Sequence, residues 1–173
     1  NSSYPNSIEV DMATGIVGQT NNPNLRDTFT NMENITFVGS FDTLLTGDGN
    51  ANIIIGGSGN DTIYTGAGND TIDGGAGNDT IQGGSGNDTY HYTGEDGFDT
   101  ITDTGGTDTI IFKTGYASKA PWKAPYRDGN NLVYISENGK SGFTVVDHFL
   151  NTSKSIELFH YEDADGGAYS VKV

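Results

Sequence analysis

The chain has 173 residues, which is room for one domain with caps. Glycine contributes 26 residues, about twice its ordinary share, whereas there are 4 prolines and no cysteine. The net charge of −15 argues against a nucleic-acid partner and an anionic membrane surface, because both attract basic proteins. The lack of cysteine excludes disulfides, a thiolate nucleophile and cysteine-bound zinc. The sequence has no apolar run long enough to span a membrane.

The acidic residues are concentrated in the middle of the chain. From Val38 to Phe112 there are 12 acidic residues and no Lys or Arg. An acidic block is commonly solvated or disordered, but here Ile, Leu or Tyr recurs at a fixed spacing. These carboxylates would repel one another in a compact fold, and the segment supplies no basic side chain to offset them. A bound metal ion is therefore the remaining candidate.

The middle of the chain is built from a nine-residue repeat. Four consecutive copies match G-G-x-G-N-D-T-U-x, in which U is a large apolar residue. The copies occupy residues 56–64, 65–73, 74–82 and 83–91. Thr65 replaces one first glycine, and Tyr90 fills one apolar position. This regular period predicts a repeat architecture rather than a glycine-rich linker.

The repeat continues imperfectly on both sides. Upstream, residues 47–55 keep the frame but have Asn52 in place of aspartate, and residues 38–46 keep little of it. Because Asn52 lacks a charge, the array of metal ligands is predicted to weaken there. Downstream, GEDGFDTI at 94–101 resumes the frame after two extra residues. GGTDTIIF at 105–112 is predicted to be a shortened turn.

Each position of the repeat has a physical role. Glycine recurs where the backbone must adopt a positive φ or approach another atom closely. Successive glycine-rich turns aim carbonyl oxygens at one point, and the aspartate at the sixth position adds a carboxylate. Ligands that are all oxygen specify a hard cation, and calcium suits a loose shell of about six to eight of them. The D-T-U-x segment that follows has β character.

Two nonapeptides are predicted to form one coil of loop, strand, loop and strand. Residues 18 apart then stack within one sheet, which places Ile63 between Leu45 and Ile81, and Ile72 between Ile54 and Tyr90. Calcium is predicted between stacked loops, whose aspartates pair as Asp61 with Asp79, Asp70 with Asp88, Asp79 with Asp99, and Asp88 with Asp108. One large apolar residue in nine is a thin core against a backbone ordering cost of about 1–2 kcal/mol per residue. Metal binding is therefore predicted to supply much of the stability.

These repeats closely resemble the RTX (repeats-in-toxin) family, clearly over 56–91 and more loosely over 38–112. The resemblance implies an all-β fold, a right-handed parallel β-roll with β caps at both ends, that binds about four or five Ca²⁺ ions. It also implies that loop carbonyls and motif aspartates hold the calcium. The implied ligand residues are Gly56, Gly57, Gly59, Asp61, Thr65, Gly66, Gly68, Asp70, Gly74, Gly75, Gly77, Asp79, Gly83, Gly84, Gly86 and Asp88, with Asp99 and Asp108 from the looser repeats.

The segments on either side are predicted to cap the roll. Residues 1–37 contain IEVDMATG and the start of DTFTNMENITFVGS, which resemble the lead-in of secreted RTX proteins. Residues 130–173 contain NNLVYI, FTVVDHF and SIELFHY, which resemble the region after RTX repeats in haemolysin-type toxins and adhesins. A solenoid needs such caps because its end strands are exposed edges.

The segment 113–129 is predicted to be a basic, aromatic insertion. Its aromatic rings could stack on sugars, and its bases could pair with uronate carboxylates. The candidate ligand-binding residues are Tyr116, Lys119, Trp122, Lys123, Tyr126 and Arg127. RTX rolls of alginate epimerases provide a family precedent for polysaccharide binding. The alternative is an insertion that packs Trp122 against the cap and offsets the charge of the roll.

We identify no catalytic residues in the sequence. His91, His148 and His160 lack the H-E-x-x-H spacing of a zinc protease and are predicted to be ordinary surface or cap residues. The resemblance implies a module of a larger polypeptide that is secreted or displayed by a Gram-negative bacterium and folds on export. Any enzymatic activity would then lie elsewhere in the parent chain, which could be an adhesin, a toxin or a hydrolase.

Overall fold

A computed structural model describes residues 8–19, 22–28, 32–92, 96–113, 126–136, 139, 141–148, 156–162 and 168–172. Every regular element in these ranges is a β-strand. The strands are β1 (Ile8–Asp11), β2 (Ile16–Gln19), β3 (Asn22–Thr28), β4 (Asn34–Thr36), β5 (Thr43–Thr46), β6 (Ile53–Ile55), β7 (Thr62–Ala67), β8 (Thr71–Asp73), β9 (Thr80–Ser85), β10 (Thr89–Tyr92), β11 (Phe98–Thr102), β12 (Asp108–Lys113), β13 (Tyr126–Asp128), β14 (Asn131–Ile135), β15 (Gly142–Val145), β16 (Ile156–Glu162) and β17 (Ala168–Lys172).

The strands form two sheets, as expected for a β-roll. The larger sheet has the order β13-β14-β15-β11-β9-β7-β5-β1-β2-β3, and the smaller has the order β17-β16-β12-β10-β8-β6-β4. From β4 to β12 the chain alternates between the sheets, and each strand pairs in parallel with the strand two places along the chain. The middle of the chain is therefore a parallel β-solenoid of about four turns, which confirms the predicted fold class.

The repeat period sets the register. Ile63 pairs with Leu45 and Ile81 in the larger sheet, and Ile72 pairs with Ile54 in the smaller sheet, as predicted. The apolar side chain of each repeat is buried, whereas the threonine before it is exposed or half-buried. The core is thus two inward-facing apolar columns, one from each sheet.

Two extra residues change the spacing without changing the stacking. Ile81 pairs with Ile101, and Tyr90 pairs with Ile110, in both cases 20 residues apart instead of 18. The columns also extend upstream of residue 38, because Val10 of β1 pairs with Leu45 and Ile35 of β4 pairs with Ile54.

Antiparallel strands close both ends of the larger sheet. At one end β1, β2 and β3 form an antiparallel meander, and at the other β13, β14 and β15 do the same. The hairpin of β16 and β17 closes one end of the smaller sheet. Beneath the C-terminal strands, Phe112, Tyr134, Phe143 and Phe159 pack with ring centroids 5.2–6.4 Å apart and enlarge the thin core of the roll.

Candidate metal centres

The connections between the sheets lie along two edges of the solenoid. We call the edge whose loops end in Asp61, Asp79 and Asp99 the first edge. The second edge has loops that end in Asn52, Asp70, Asp88 and Asp108. Within each edge, consecutive loops come from consecutive coils, so the predicted ligands of one edge stack above one another.

Glycine is required where the loops stack. Gly77 has φ +134° and Gly86 has φ +129°, a region that residues with side chains rarely adopt. A Cβ at Gly77 would overlap the carbonyl of Gly59, and a Cβ at Gly86 would overlap the carbonyl of Gly68. Close stacking of the loops therefore requires glycine at the fourth position of the repeat on both edges.

The motif aspartates form a ladder along each edge. Each Oδ1 accepts the backbone N–H of the residue that holds the same position one coil earlier. On the first edge, the N–H of Asp61 donates to Asp79 over 2.7 Å, and that of Asp79 donates to Asp99 over 2.9 Å. On the second edge, the N–H of Asp70 donates to Asp88 over 2.9 Å. The four aspartate pairs predicted from the repeat are all neighbours in this ladder.

The second carboxylate oxygen of these aspartates points into the protein. Asp61, Asp70, Asp79 and Asp88 are each 1% exposed, and the Oδ2 of each has no hydrogen-bond partner. A buried charge without a partner is strongly destabilising. No Lys or Arg lies between residues 38 and 112 to neutralise these groups.

The first glycine of the repeat leaves space beside this oxygen. A Cβ at Gly56 would lie 2.6 Å from Oδ2 of Asp61 and 2.5 Å from the carbonyl oxygen of Gly74. Oxygens from two successive coils therefore face one point that no side chain fills. Carboxylate and carbonyl oxygens are the donors that calcium prefers, so the residues fit the ion that the repeat predicts.

Electrostatics also favour a cation in these loops. Burial raises the pKa of Asp79 to about 7 and the pKa of Asp99 to about 8, and neighbouring carboxylates contribute to both shifts. Burial also raises the pKa of Asp88 to about 6 and shifts the pKa of Asp61 and Asp70 upward. Without a metal ion, burial therefore disfavours the ionised form of all five side chains, most strongly at Asp79 and Asp99.

The asparagine that precedes each motif aspartate forms a second ladder, which we did not predict. The N–H of Asn78 donates to Oδ1 of Asn60 over 2.8 Å, and the N–H of Phe98 donates to Oδ1 of Asn78 over 2.8 Å. On the second edge, Asn87 donates in the same way to Asn69. This ladder runs in the opposite direction to the aspartate ladder. The repeated N-D dipeptide was the sequence signal for it.

Two departures from the repeat change the second edge. Asn52 is buried, but its Oδ1 accepts the N–H of Asp48 over 3.0 Å, so its side chain is satisfied without a cation. Thr65 replaces a first glycine, and its hydroxyl donates to the carbonyl of Gly83 over 2.5 Å. That carbonyl belongs to the predicted ligand set, so on this edge a hydroxyl contacts one of the predicted ligands.

The predicted shortened turn at 105–112 is wrong. Gly86 donates its N–H to Gly105 over 2.9 Å, and a Cβ at Gly106 would overlap the carbonyl of Gly86. Gly105 and Gly106 are therefore the third and fourth positions of a full-length repeat that spans 103–111. The repeat was hidden because Asp103 and Thr104 replace its first two glycines.

Two of the six candidate ligand-binding residues lie in described parts of the chain. Tyr126 and Arg127 are exposed on β13, which forms a hairpin with β14 at one end of the larger sheet. Arg127 donates from Nε to the carbonyl of Gly129 over 2.7 Å. Tyr116, Lys119, Trp122 and Lys123 fall outside the described residues.

The histidines lie in strands or in the cap. His91 on β10 and His160 on β16 are half-buried. His148 is buried, and its Nδ1 accepts the N–H of Ile156 over 3.2 Å. Among the described residues, the clusters of potential metal ligands include no histidine.

The geometry defines a calcium-binding β-solenoid. The family model of the RTX calcium-binding nonapeptide repeat matches the chain in four copies, at residues 39–72, 46–81, 64–94 and 91–116. Residues 39–116 therefore belong to the RTX calcium-binding nonapeptide repeat family. A search of curated proteins finds no match to the chain. Within the described ranges, no helix is long and apolar enough to cross a membrane.

Proposed function

We propose that this calcium-binding module folds when calcium becomes available and stabilises a larger exported protein. The observation that carries the proposal is the row of buried carboxylate oxygens without partners at Asp61, Asp70, Asp79 and Asp88. In a calcium-free environment these groups oppose folding, because burial and mutual repulsion penalise their ionised form. Calcium converts the same oxygens into ligands.

Linkage gives the size of the effect. Extracellular calcium modules bind with Kd values of about 10⁻⁴–10⁻³ M. At ten times Kd, each site that exists only in the folded chain adds about 1.4 kcal/mol. Four such sites add about 6 kcal/mol, which is comparable to the stability of a whole domain. The same sites add almost nothing when calcium is far below Kd.

This calcium dependence is suited to export. RTX repeats are characteristic of secreted proteins of Gram-negative bacteria, which supports a secreted or cell-surface location. A chain that stays unfolded at low cytoplasmic calcium is competent for type I secretion and folds outside the cell. The activity of the parent protein, as an adhesin, toxin or hydrolase, then lies in other segments.

The test removes one carboxylate from each edge. We expect the double variant Asp70→Ala, Asp79→Ala to take up fewer calcium ions in isothermal titration calorimetry. In circular dichroism it should need a higher calcium concentration to fold. Asp128→Ala is the matched control, because Asp128 is an exposed carboxylate on β13. Unchanged calcium uptake and unchanged folding in the double variant would rule out the proposed function.

Polysaccharide binding is a second candidate. Tyr126 is 49% exposed and Arg127 is also exposed on the terminal strand of the larger sheet, so an aromatic ring and a base are each available to a sugar ring or a uronate carboxylate. A glycan array that includes alginate, probed in saturating calcium, tests this candidate. Specific binding that is lost in Trp122→Ala, with an unchanged circular dichroism spectrum, would support a recognition module. No binding by the folded chain would oppose it.

A further inference from the structure

The last described loop of the second edge differs from the repeat in a way that adds a ligand. Asp103 occupies the position of the first glycine, so its carboxylate enters a space that is empty in the glycine-containing repeats. Asp103 is 3% exposed and lies beside two motif aspartates, Asp88 and Asp108. One carboxylate oxygen from each of the three lies within 4.8 Å of the others. Within the described ranges, this is the only group of three potential ligands that meets this distance.

The atoms around Gly83 show where the carboxylates point. A Cβ at Gly83 would lie 2.7 Å from Oδ2 of Asp88 and 2.7 Å from Oδ2 of Asp103. The two oxygens therefore face the same point, which only the hydroxyl of Tyr90 approaches more closely, because residue 83 is glycine and adds no side chain there. Oδ2 of Asp88 is buried and has no hydrogen-bond partner, so it is an orphaned ligand directed into the cluster.

The backbone and Tyr90 hold the cluster in place. Oδ1 of Asp108 accepts the N–H of Asp88 over 2.9 Å, and Oδ1 of Asp103 accepts the N–H of Gly105 over 2.8 Å. The hydroxyl of Tyr90 donates to Oδ2 of Asp103 over 2.5 Å. Tyr90 is itself a departure from the repeat, because the other intact copies have isoleucine at that position. Tyr90 and Asp103 both depart from the repeat and lie in consecutive coils, and one hydrogen bond joins them.

We propose that Asp88, Asp103 and Asp108 form a three-carboxylate calcium site in which Asp103 is a ligand that the repeat does not supply. The inference rests on the proposed calcium-dependent function and deepens it. Three carboxylates give the site one more negative charge than a pair of motif aspartates provides. Ligand charge is one of the factors that tune calcium affinity, so this site binds calcium more tightly than the other loops.

The alternative is a cluster in which the carboxylates share protons and Asp103 only anchors Tyr90. Burial raises the pKa of Asp88, and the charge of Asp103 raises it further, so shared protons are a physical option in the absence of metal. The two readings differ in the effect of removing the tyrosine hydroxyl. If Asp103 only anchors Tyr90, Tyr90→Phe should affect calcium binding at least as much as Asp103→Asn, because the asparagine amide can still hydrogen-bond the tyrosine hydroxyl. If Asp103 is a ligand, Asp103→Asn alone should weaken calcium binding.

The experiment compares calcium binding by four forms of the full chain in isothermal titration calorimetry. They are the wild type, Asp103→Asn, Tyr90→Phe and the exposed-carboxylate control Asp128→Asn. We expect Asp103→Asn to lower the calcium affinity of the tightest site at least about tenfold, since loss of even an outer-shell partner lowers metal affinity by that much. Tyr90→Phe should bind as tightly as the wild type or more tightly, because it frees Asp103 from a competing donor. Asp128→Asn should match the wild type.

Circular dichroism in saturating calcium verifies that each variant is folded. If Asp103→Asn does not fold, Asp103→Gly replaces it, because glycine is the residue that the repeat carries there. Equal affinities for the wild type and the Asp103 variants would overturn the site, as would equal losses in Tyr90→Phe and Asp103→Asn. A wild type that binds no calcium would overturn the proposed function and this site together. A wild type that binds calcium with no effect of Asp103 would overturn only this site.

Discussion

The two edges of the solenoid share one backbone but differ in their ligands. On the first edge, the described first positions are the glycines Gly56 and Gly74, and the stacked carboxylates follow the repeat. On the second edge, the first positions are Gly47, Thr65, Gly83 and Asp103. The hydrogen-bond ladder is the same on both edges, so the loops do not need identical residues to stack. The difference shows that the fourth-position glycines set the backbone, whereas the first position adjusts the ligand set.

The largest expected effect tests the shared backbone. Gly77→Ala on the first edge and Gly86→Ala on the second should each destabilise the calcium-bound chain by at least about 1–3 kcal/mol, because both demand a conformation nearly restricted to glycine. Urea unfolding in saturating calcium measures the loss. Gly129→Ala is the control, because Gly129 has φ +61° and no atom within 4 Å of its Cβ position, so about 1–2 kcal/mol is expected. A large loss of unfolding free energy in only one of these two variants would show that the loop backbones of the two edges differ.

The next largest effect is expected at Asn52, the uncharged residue that takes the place of a motif aspartate on the second edge. Asn52→Asp should lower the thermal midpoint in EDTA, because the amide of Asn52 is hydrogen-bonded and a carboxylate there would lie near Asp48. A buried ion without a partner costs about 1–3 kcal/mol or more. In calcium the difference in thermal midpoint between the variant and the wild type should be smaller, because the variant gains a carboxylate ligand like that of Asp70. Equal midpoints for the variant and the wild type in EDTA would contradict the role assigned to burial.

The pH dependence of the calcium-free chain should also distinguish the edges. The folded pKa values of Asp79 and Asp99 lie near 7 and 8, above the ordinary value of 3.8, so the folded chain holds more protons across this window. Its stability in EDTA should therefore fall as the pH rises from about 4 to about 8. Calcium binding has the opposite dependence, because the ligands must lose their protons.

Urea midpoints in EDTA at pH 5 and pH 8 measure this slope. Asp79→Asn on the first edge should flatten it more than Asp88→Asn on the second, because the pKa of Asp79 is raised further, to about 7 against about 6. Stability that increases with pH in EDTA would contradict the account.

The smallest expected effect concerns Thr65. Thr65→Gly restores the repeat but removes the hydrogen bond to the carbonyl of Gly83, so we expect a loss of about 1 kcal/mol in EDTA. In calcium the loss should be smaller, because the carbonyl becomes available to the ion. Thr65→Ser keeps the hydroxyl and should stay closer to the wild type in thermal unfolding. A loss in Thr65→Ser as large as that in Thr65→Gly would show that the hydroxyl is not responsible.

The parts of the fold that follow a period were predictable from sequence. The 18-residue spacing placed Leu45, Ile63 and Ile81 in one column, and it placed the motif aspartates in stacked pairs. This succeeded because a coil of fixed length leaves one register that buries every apolar side chain. The place of Val10 beside Leu45 in this column was not predictable in this way, because β1 joins the sheet from outside the periodic region.

The site was less predictable where side chains replace glycine. Asp103 departs from the repeat pattern, so its position as the first residue of a repeat follows only from the contacts of Gly105 and Gly106 with Gly86. The bond between Tyr90 and Asp103 joins residues 13 apart in different repeats, and neither residue alone indicates the other. The prediction that Trp122 contacts a polysaccharide stays a prediction, because this residue lies outside the described parts of the chain.

The central claim is that calcium makes burial of these carboxylates favourable. The most direct measurement is a calcium titration of the full chain from EDTA, followed by far-ultraviolet circular dichroism at pH 7.5, with magnesium as the matched control ion. We expect a weaker β spectrum and a lower thermal midpoint in EDTA, a cooperative gain in both when calcium is added, and little response to magnesium. The same β spectrum and the same thermal midpoint in EDTA and in calcium would contradict it.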